Sequence, residues 1–187
     1  KSLLSSRKGC YKTKSMNSSG KLFKINIPLF TESDTIRLAH VFAEKAIKGT
    51  TILLNGEIGT GKTFFARSLI QKLLMKYGLN EDVPSPTYTL IQSYQTPEID
   101  IIHADLYRVK SKTELMELGL TDAFENSLCL IEWPDKLDLL IPRDAVKIKL
   151  EYGNKENSRI CVIECHDKKQ YNFLRLIQQR LKTHDRS

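Results

Sequence analysis

Thr51-Ile52-Leu53-Leu54-Asn55-Gly56-Glu57-Ile58-Gly59-Thr60-Gly61-Lys62-Thr63-Phe64-Phe65-Ala66-Arg67 joins a strand pattern to a helix pattern through a glycine-rich turn. A β-rich apolar run leads into three glycines, and a helical pattern starts at once behind them. Gly56, Gly61, Lys62 and Thr63 satisfy G-x-x-x-x-G-K-[ST], the phosphate-binding loop, in the strand-before and helix-after setting that the motif requires. The residue types follow from the chemistry. Backbone N–H groups must wrap a phosphate chain closely, so side chains are in the way. Gly56, Gly59 and Gly61 remove them and permit positive φ. The free N–H groups and positive dipole end of the helix face the anion. Lys62 supplies a mobile charge for the outer phosphates, and Thr63 a hydroxyl for Mg²⁺.

Working outward, Leu22 to Ile27 alternates as a first strand. Thr31 to Asp34 offers helix N-caps. Ile36, Ala39, Phe42, Ala43, Ala46 and Ile47 then recur at helical spacing until Gly49. Downstream of the loop, Leu69, Ile70, Leu73 and Leu74 carry the second helix to Gly78. Pro84 and Pro86 break the chain, and Thr87 to Tyr94 reads as a strand. Asp100 to Asp105 and Leu128 to Glu132 are apolar strands that end in an acid, with Trp133-Pro134 stopping the second. A short helix spans Thr113 to Leu120. Ala145 to Tyr152 and Arg159 to Cys165 form a hairpin around Gly153-Asn154. A last helix carries Phe173, Leu174, Ile177 and Leu181 on one face. Alternating strands and helices with a late antiparallel pair predict an α/β fold: a mixed, mainly parallel sheet covered by helices.

With 41% hydrophobic and 27% charged residues, the 187-residue chain has the composition of a globular protein. No apolar run approaches the ~20 residues of a membrane span. The net charge of +7 suggests nucleic acid until it is located. Residues 1–24 carry Lys1, Arg7, Lys8, Lys12, Lys14, Lys21 and Lys24 and no acid; removing those seven from 29 basic residues leaves 22, against 22 acids. A formally neutral body is a poor binder of RNA through phosphate neutralisation. Residues 1–20 read as a disordered basic tail and 21–187 as one domain. The tail has a transit-peptide-like composition, and its plainer reading is an upstream extension ahead of a start at Met16. Cys10, Cys129, Cys161 and Cys165 form no C-x-x-C and read as reduced thiols of a cytoplasmic protein, Cys161 and Cys165 sharing a strand face.

Ligands of open α/β sheets bind outside the carboxyl ends of the strands. Asp105 and Glu132 both arrive at that edge. A phosphate-loop enzyme needs a strand-terminal acid for Mg²⁺, for which Asp105 is the candidate. Hydrolysis needs a group that orients or deprotonates water, for which Glu132 is the candidate. His103 shares a strand face with Asp105, and its plainer reading is a satisfied structural histidine. Trp133 is equally a core anchor or a stacking surface beside the site.

Four blocks now stand in order: Gly56–Thr63 (GEIGTGKT), Ser85–Leu90 (SPTYTL), His103–Arg108 (HADLYR) and Ile131–Pro134 (IEWP), with Glu117-Leu118-Gly119-Leu120 between the last two. Together they resemble the bacterial TsaE family, formerly YjeE, the ATPase accessory to threonylcarbamoyladenosine formation on tRNA. The likeness covers residues 22–140 by motif. It implies a P-loop NTPase fold that uses ATP and Mg²⁺. Glu57, Ile58, Gly59, Thr60, Gly61, Lys62, Thr63 and Phe64 would then border the nucleotide. Asp105 would be the Walker B acid, with Thr63, Asp105 and Glu132 around the metal. Lys62, Asp105 and Glu132 would act in catalysis. Thr87 would belong to a switch near the γ-phosphate, and Glu132 and Trp133 match positions important for activity. The implied partners are the TsaD and TsaB subunits, which hydrolysis would reset between turnovers, with tRNA reached only indirectly and no membrane involved. Other classes compete. A small-molecule kinase would use the same loop, but no arginine-rich lid follows Asp105. A GTP switch would need a guanine-reading pattern, and Asn154-Lys155-Glu156-Asn157 lacks its final acid. A nucleotide-bound scaffold would bind without turnover.

Overall fold

The structure, a computed structural model, describes residues 22–165 together with 171, 172, 174, 175, 178 and 179. Seven strands form one sheet: β1 (Phe23–Leu29), β2 (Thr51–Asn55), β3 (Ile91–Tyr94), β4 (Asp100–Asp105), β5 (Ser127–Glu132), β6 (Val146–Tyr152) and β7 (Arg159–Cys165), in the order β1-β7-β6-β2-β5-β4-β3. The central run β6-β2-β5-β4 is parallel, and β1, β7 and β3 extend it through antiparallel pairings. The expected mixed α/β sheet with a parallel core is present.

Burial follows the pattern of the side chains. All six residues of β5 are buried, as a strand covered on both faces must be. Its alternate residues feed two cores. Leu128 and Leu130, with Ile52 and Leu54 of β2, pack under α1 (Glu32–Lys45) and α2 (Lys62–Lys76). Cys129 and Ile131, with Leu53, pack under α3 (Lys112–Glu117) and α4 (Leu120–Asn126). β1 and β6 instead alternate strictly, with Ile25, Ile27, Leu29, Ile148 and Leu150 inward and Lys24, Lys147 and Lys149 outward. That end of the sheet is covered on one face only.

Thr31 caps α1 in a capping box with Asp34, which accepts the Thr31 N–H at 2.8 Å and bonds Arg37. Burial alone would raise the Asp34 pKa; the bonds from Thr31, Arg37 and Phe30 outweigh it and hold the carboxyl below 3.8. The helix stops at Lys45, not at Gly49; Gly49 (φ +81°) gives its N–H to Ser127 O at 3.0 Å and so turns the chain onto β5 before β2. Phe65 of α2 is fully buried and meets Phe42 edge-on, ring centroids 5.7 Å apart.

Two further expectations are corrected. The strand foreseen from Thr87 begins only at Ile91. Residues 86–90 fold into a turn closed by the Leu90 N–H on Pro86 O (2.7 Å), with Leu90 at φ +64°. The helix foreseen over 113–120 is α3, which closes before the left-handed Gly119 and ends at Glu117, and a second helix that was not foreseen, α4, follows directly, held by burial of Leu120 and Phe124. The Val146–Cys165 hairpin forms as read. Of the last helix, Leu174 is buried in the core; Phe173, Ile177 and Leu181 lie outside the described residues, as do the tail 1–20 and Cys10. Cys129 and Cys161 are buried thiols, and burial pushes the Cys129 thiol up to about 12, which leaves it inert.

Candidate active site

The carboxyl ends of β2, β4 and β5 meet at one point. Register does this: Leu54 lies beside Glu132, and Asp105 beside Glu132, across the two parallel pairings. β2 runs straight into the phosphate loop and α2 begins above it. The N-cap of α2 is Gly61 at φ +103°, a left-handed position suited to glycine, and no side chain caps the first turn. The leading N–H groups of α2 therefore face the cleft as an anion receptor.

Ile58, Gly59, Lys62, Thr63, Thr87, Asp105, Tyr107, Glu132 and Trp133 line a cleft of about 200 Å³ at this point. Of the residues expected at the site, Glu57 lies outside this lining and is exposed, and Phe64 is half-buried in the first turn of α2. Thr60 is buried and turns its hydroxyl onto Glu57 O at 2.9 Å. Glu57 borders a second, open groove of about 930 Å³ that runs along the lysine- and glutamate-bearing face of β6 and β7.

Lys62 is buried, and its ammonium donates to Gly56 O and Glu57 O at 2.8 Å each while lying 4.1 Å from the Trp133 ring centroid. Burial holds its pKa below 10.5, and the Glu132 and Asp105 charges offset that only in part. The lysine thus rests on groups that a phosphate would outcompete. Trp133 reaches over it because its backbone is left-handed (φ +56°), with the N–H tied to Leu54 O at 3.2 Å and the ring against Tyr107, centroids 4.9 Å apart. Such a conformation is uncommon for a bulky residue and collects at functional sites. The lone tryptophan is half-buried: it packs against the core that holds Ile131 and Leu137 and also covers the Lys62 charge.

The two acids divide the neighbourhood. Glu132, 2% exposed, accepts the Thr63 hydroxyl on Oε2 at 2.8 Å and faces His103 Nε2 with Oε1 at 2.9 Å. Asp105, 4% exposed, accepts the Thr87 hydroxyl on Oδ2 at 2.8 Å and the Tyr107 N–H on Oδ1 at 3.0 Å, and Ser85 Oγ lies 2.8 Å from Thr87 Oγ1. His103 is therefore not a bystander of the core. It is fully buried, its Nδ1 has no hydrogen-bond partner, and its other nitrogen is spent on Glu132. In the sequence His103 shares a strand face with Asp105 and opens the His103–Arg108 block. Tyr107, which stands in the His103–Arg108 block, also lines the cleft, and Tyr152 and Arg159 touch the loop; the hairpin pair carries no motif of its own.

Among the described residues no group of three or more His, Cys, Asp and Glu stands ready to hold a metal by itself. The donor set of Thr63 hydroxyl and Glu132 or Asp105 carboxylate suits a hard cation shared with phosphate oxygens and water, as Mg²⁺ is usually held. Among the same residues no helix is long and apolar enough to cross a membrane.

Comparison with known proteins gives the chain its family. The family model described as "Threonylcarbamoyl adenosine biosynthesis protein TsaE" matches residues 29–161. The tRNA threonylcarbamoyladenosine biosynthesis protein TsaE of Rickettsia bellii is 39% identical over 135 residues, 72% of this chain and 91% of that protein. Its counterpart in Haemophilus influenzae is 35% identical over 127 residues, 65% of this chain and 78% of the other. Among solved structures, Bacillus subtilis YdiB superposes with a TM-score of 0.65 over 89% of this chain and 99% of its own, at 21% identity, which bears on the fold alone. The phosphate loop, the two strand-end acids and the aromatic lid over Lys62 are thus set in a chain that belongs to the TsaE family of tRNA threonylcarbamoyladenosine biosynthesis proteins.

Proposed function

We propose that the protein is a Mg²⁺-dependent ATPase that docks on the TsaD–TsaB pair and resets it by hydrolysing ATP, touching tRNA only through those subunits. One observation carries the reading. The Thr63 hydroxyl is anchored to a buried carboxylate, Glu132, in the same cleft as Lys62 and the Thr87–Asp105 pair. A loop that only bound phosphate would need neither acid.

The loop N–H groups and the α2 N-terminus receive the phosphates, and Lys62 leaves the Gly56 and Glu57 carbonyls to join them. Thr63 and Glu132 would hold Mg²⁺, which neutralises charge on the phosphate oxygens when bound. This reading reassigns the two acids. Glu132 bonds the metal-binding hydroxyl itself, whereas Asp105 bonds Thr87 and stands free of Thr63. Asp105, with Thr87, is therefore the better candidate to orient the attacking water. His103 fixes the Glu132 carboxylate from behind, since a carboxylate only accepts and the imidazole supplies the donor. Trp133 covers the Lys62 charge until a phosphate takes it.

The test is release of labelled inorganic phosphate from γ-labelled ATP, with and without TsaD–TsaB. Stimulated release that vanishes in Lys62→Ala is the expected result. Label ending on a small-molecule acceptor would make the protein a kinase, and unchanged ATP in the presence of both subunits would make it a scaffold.

A further inference from the structure

Every carbonyl of the phosphate loop has a donor. Gly56 O and Glu57 O take Lys62 Nζ, and Gly61 O takes the Phe65 N–H of α2 at 2.9 Å. The three between them are held from outside. Ile58 O accepts from Tyr152 Oη at 2.8 Å, Gly59 O from Arg159 Nη2 at 3.3 Å, and Thr60 O from Arg159 Nε at 3.2 Å. Tyr152 and Arg159 are Cα partners at the tip of the β6–β7 hairpin. β6 is in turn the strand beside β2, and it approaches so closely that a Cβ on Gly56 would fall on the Leu150 carbonyl oxygen.

The orientation of these bonds matters. In a trans peptide the C=O of one residue and the N–H of the next point in opposite directions. A donor on Ile58 O therefore aims the Gly59 N–H away from the hairpin, and a donor on Thr60 O does the same for the Gly61 N–H. Those are groups that an anion in the loop would meet. The clasp is itself stiff: the Arg159 guanidinium lies 4.7 Å from the Tyr152 ring centroid, Arg159 Nη1 donates to Ser158 O at 2.9 Å, and the Gly153 N–H closes the turn on Ser158 O at 2.9 Å. When Lys62 turns to a phosphate, its two loop bonds are lost and the three from the hairpin stay.

We propose that Tyr152 and Arg159 are positioning residues that hold the phosphate loop in its anion-receiving form, so that nucleotide affinity is set in part by the hairpin and not by the loop alone. Neither residue needs to touch the nucleotide. The proposal rests on the reading that the loop binds nucleotide phosphates.

The test uses the full chain with Arg159→Gln, Arg159→Lys and Tyr152→Phe, read by ADP and ATP calorimetry and by deuterium exchange of loop amides 57–61 without nucleotide. Losing the charge-assisted bonds in Arg159→Gln should weaken both nucleotides about tenfold or more. Loop exchange should speed up while exchange in β2 and the body of α2 stays put. Arg159→Lys, which keeps the charge and one donor nitrogen but not the fork, should recover part of both. Tyr152→Phe should show the same two changes at smaller size. A folded Arg159→Gln whose ADP affinity and loop exchange stay within about twofold of wild type overturns the proposal. If that variant does not fold, Tyr152→Phe, which loses one hydroxyl, decides by the same criterion. If wild type binds neither nucleotide, the nucleotide reading is what fails, and the exchange data alone then support or overturn the clasp.

Discussion

Replacing each strand-end acid by its amide separates the metal acid from the water acid. In Asp105→Asn the side-chain oxygen can keep the Tyr107 N–H, and the new NH₂ faces Thr87, whose hydroxyl can turn from donor to acceptor. The cleft survives without a base. In Glu132→Gln the oxygen can keep only one of its two donors. If it keeps His103, the NH₂ donates to Thr63 Oγ1 and takes one of its two lone pairs, and the carboxylate charge beside the cation is gone. Mg²⁺-dependent ATP binding should then fall about tenfold or more, the range seen when the support of a metal ligand is lost. ATP at 100 times its Kd stabilises the wild type by about 2.7 kcal/mol, and after a tenfold loss the same ATP gives about 1.4 kcal/mol. For a chain of this size 1 kcal/mol moves Tm by about 2–4 °C, so the shift with ATP and Mg²⁺ should shrink from about 5–11 °C to about 3–6 °C. Asp105→Asn should keep the whole shift and lose about 10²–10⁴-fold in turnover measured with TsaD–TsaB. Thermal scans with and without Mg²⁺, paired with phosphate release, read both quantities. If Asp105→Asn erases the Mg²⁺-dependent part of the shift and Glu132→Gln preserves it, the reasoning from the Thr63 bond is wrong and Asp105 is the metal acid.

Lys62→Ala should abolish the ATP-induced rise in Tm while leaving the nucleotide-free Tm close to wild type, because its bonds go to loop carbonyls and not to the core; an undiminished rise would remove the loop from nucleotide binding. Phe65→Ala should cost about 3–5 kcal/mol in urea unfolding, since the ring is fully buried between the two helices and a cavity would remain; a loss below about 1 kcal/mol would mean that α1 and α2 collapse onto the gap. The Asp34 carboxyl titrates lower in the folded chain than in the unfolded one. Its stabilisation is therefore present at neutral pH and is lost as pH falls below 3.8 toward the folded value. The stability gap between wild type and Asp34→Asn should accordingly narrow across that acid range, and a gap that is flat with pH would refute the assignment.

What was legible in the sequence was local. The glycine-lysine-threonine spacing marks the turn from β2 to α2, Thr31 with Asp34 marks a helix start, and an apolar run closing in an acid marks β4 and β5. What was not legible depends on partners far away. The turn at 86–90 overrides the strand propensity of Thr87–Leu90 because the Thr87 hydroxyl is drawn to Asp105, 18 residues on. α4 has neither a capping side chain nor much length, so only burial of Leu120 and Phe124 defines it. That both acids reach the cleft could be read from their strands. Which of them meets Thr63 is set by the register of β2 against β5, which brings Glu132 to a threonine 69 residues before it, and no local pattern encodes that.

The pairing of β1 with β7 has a consequence for how the chain is made. β1 leaves the ribosome well before its strand neighbour, which spans Arg159–Cys165. At about 5–20 residues per second, roughly 7–26 s pass between completion of Leu29 and synthesis of Arg159. Through that interval an amphipathic strand waits with its pairing edge open, a state prone to association with other chains. The same segment brings Arg159 to the phosphate loop, so its bonds to the loop can form only after Arg159 has emerged. The soluble yield should therefore depend on how fast residues 30–159 are translated, a consequence of where one strand finds its neighbour.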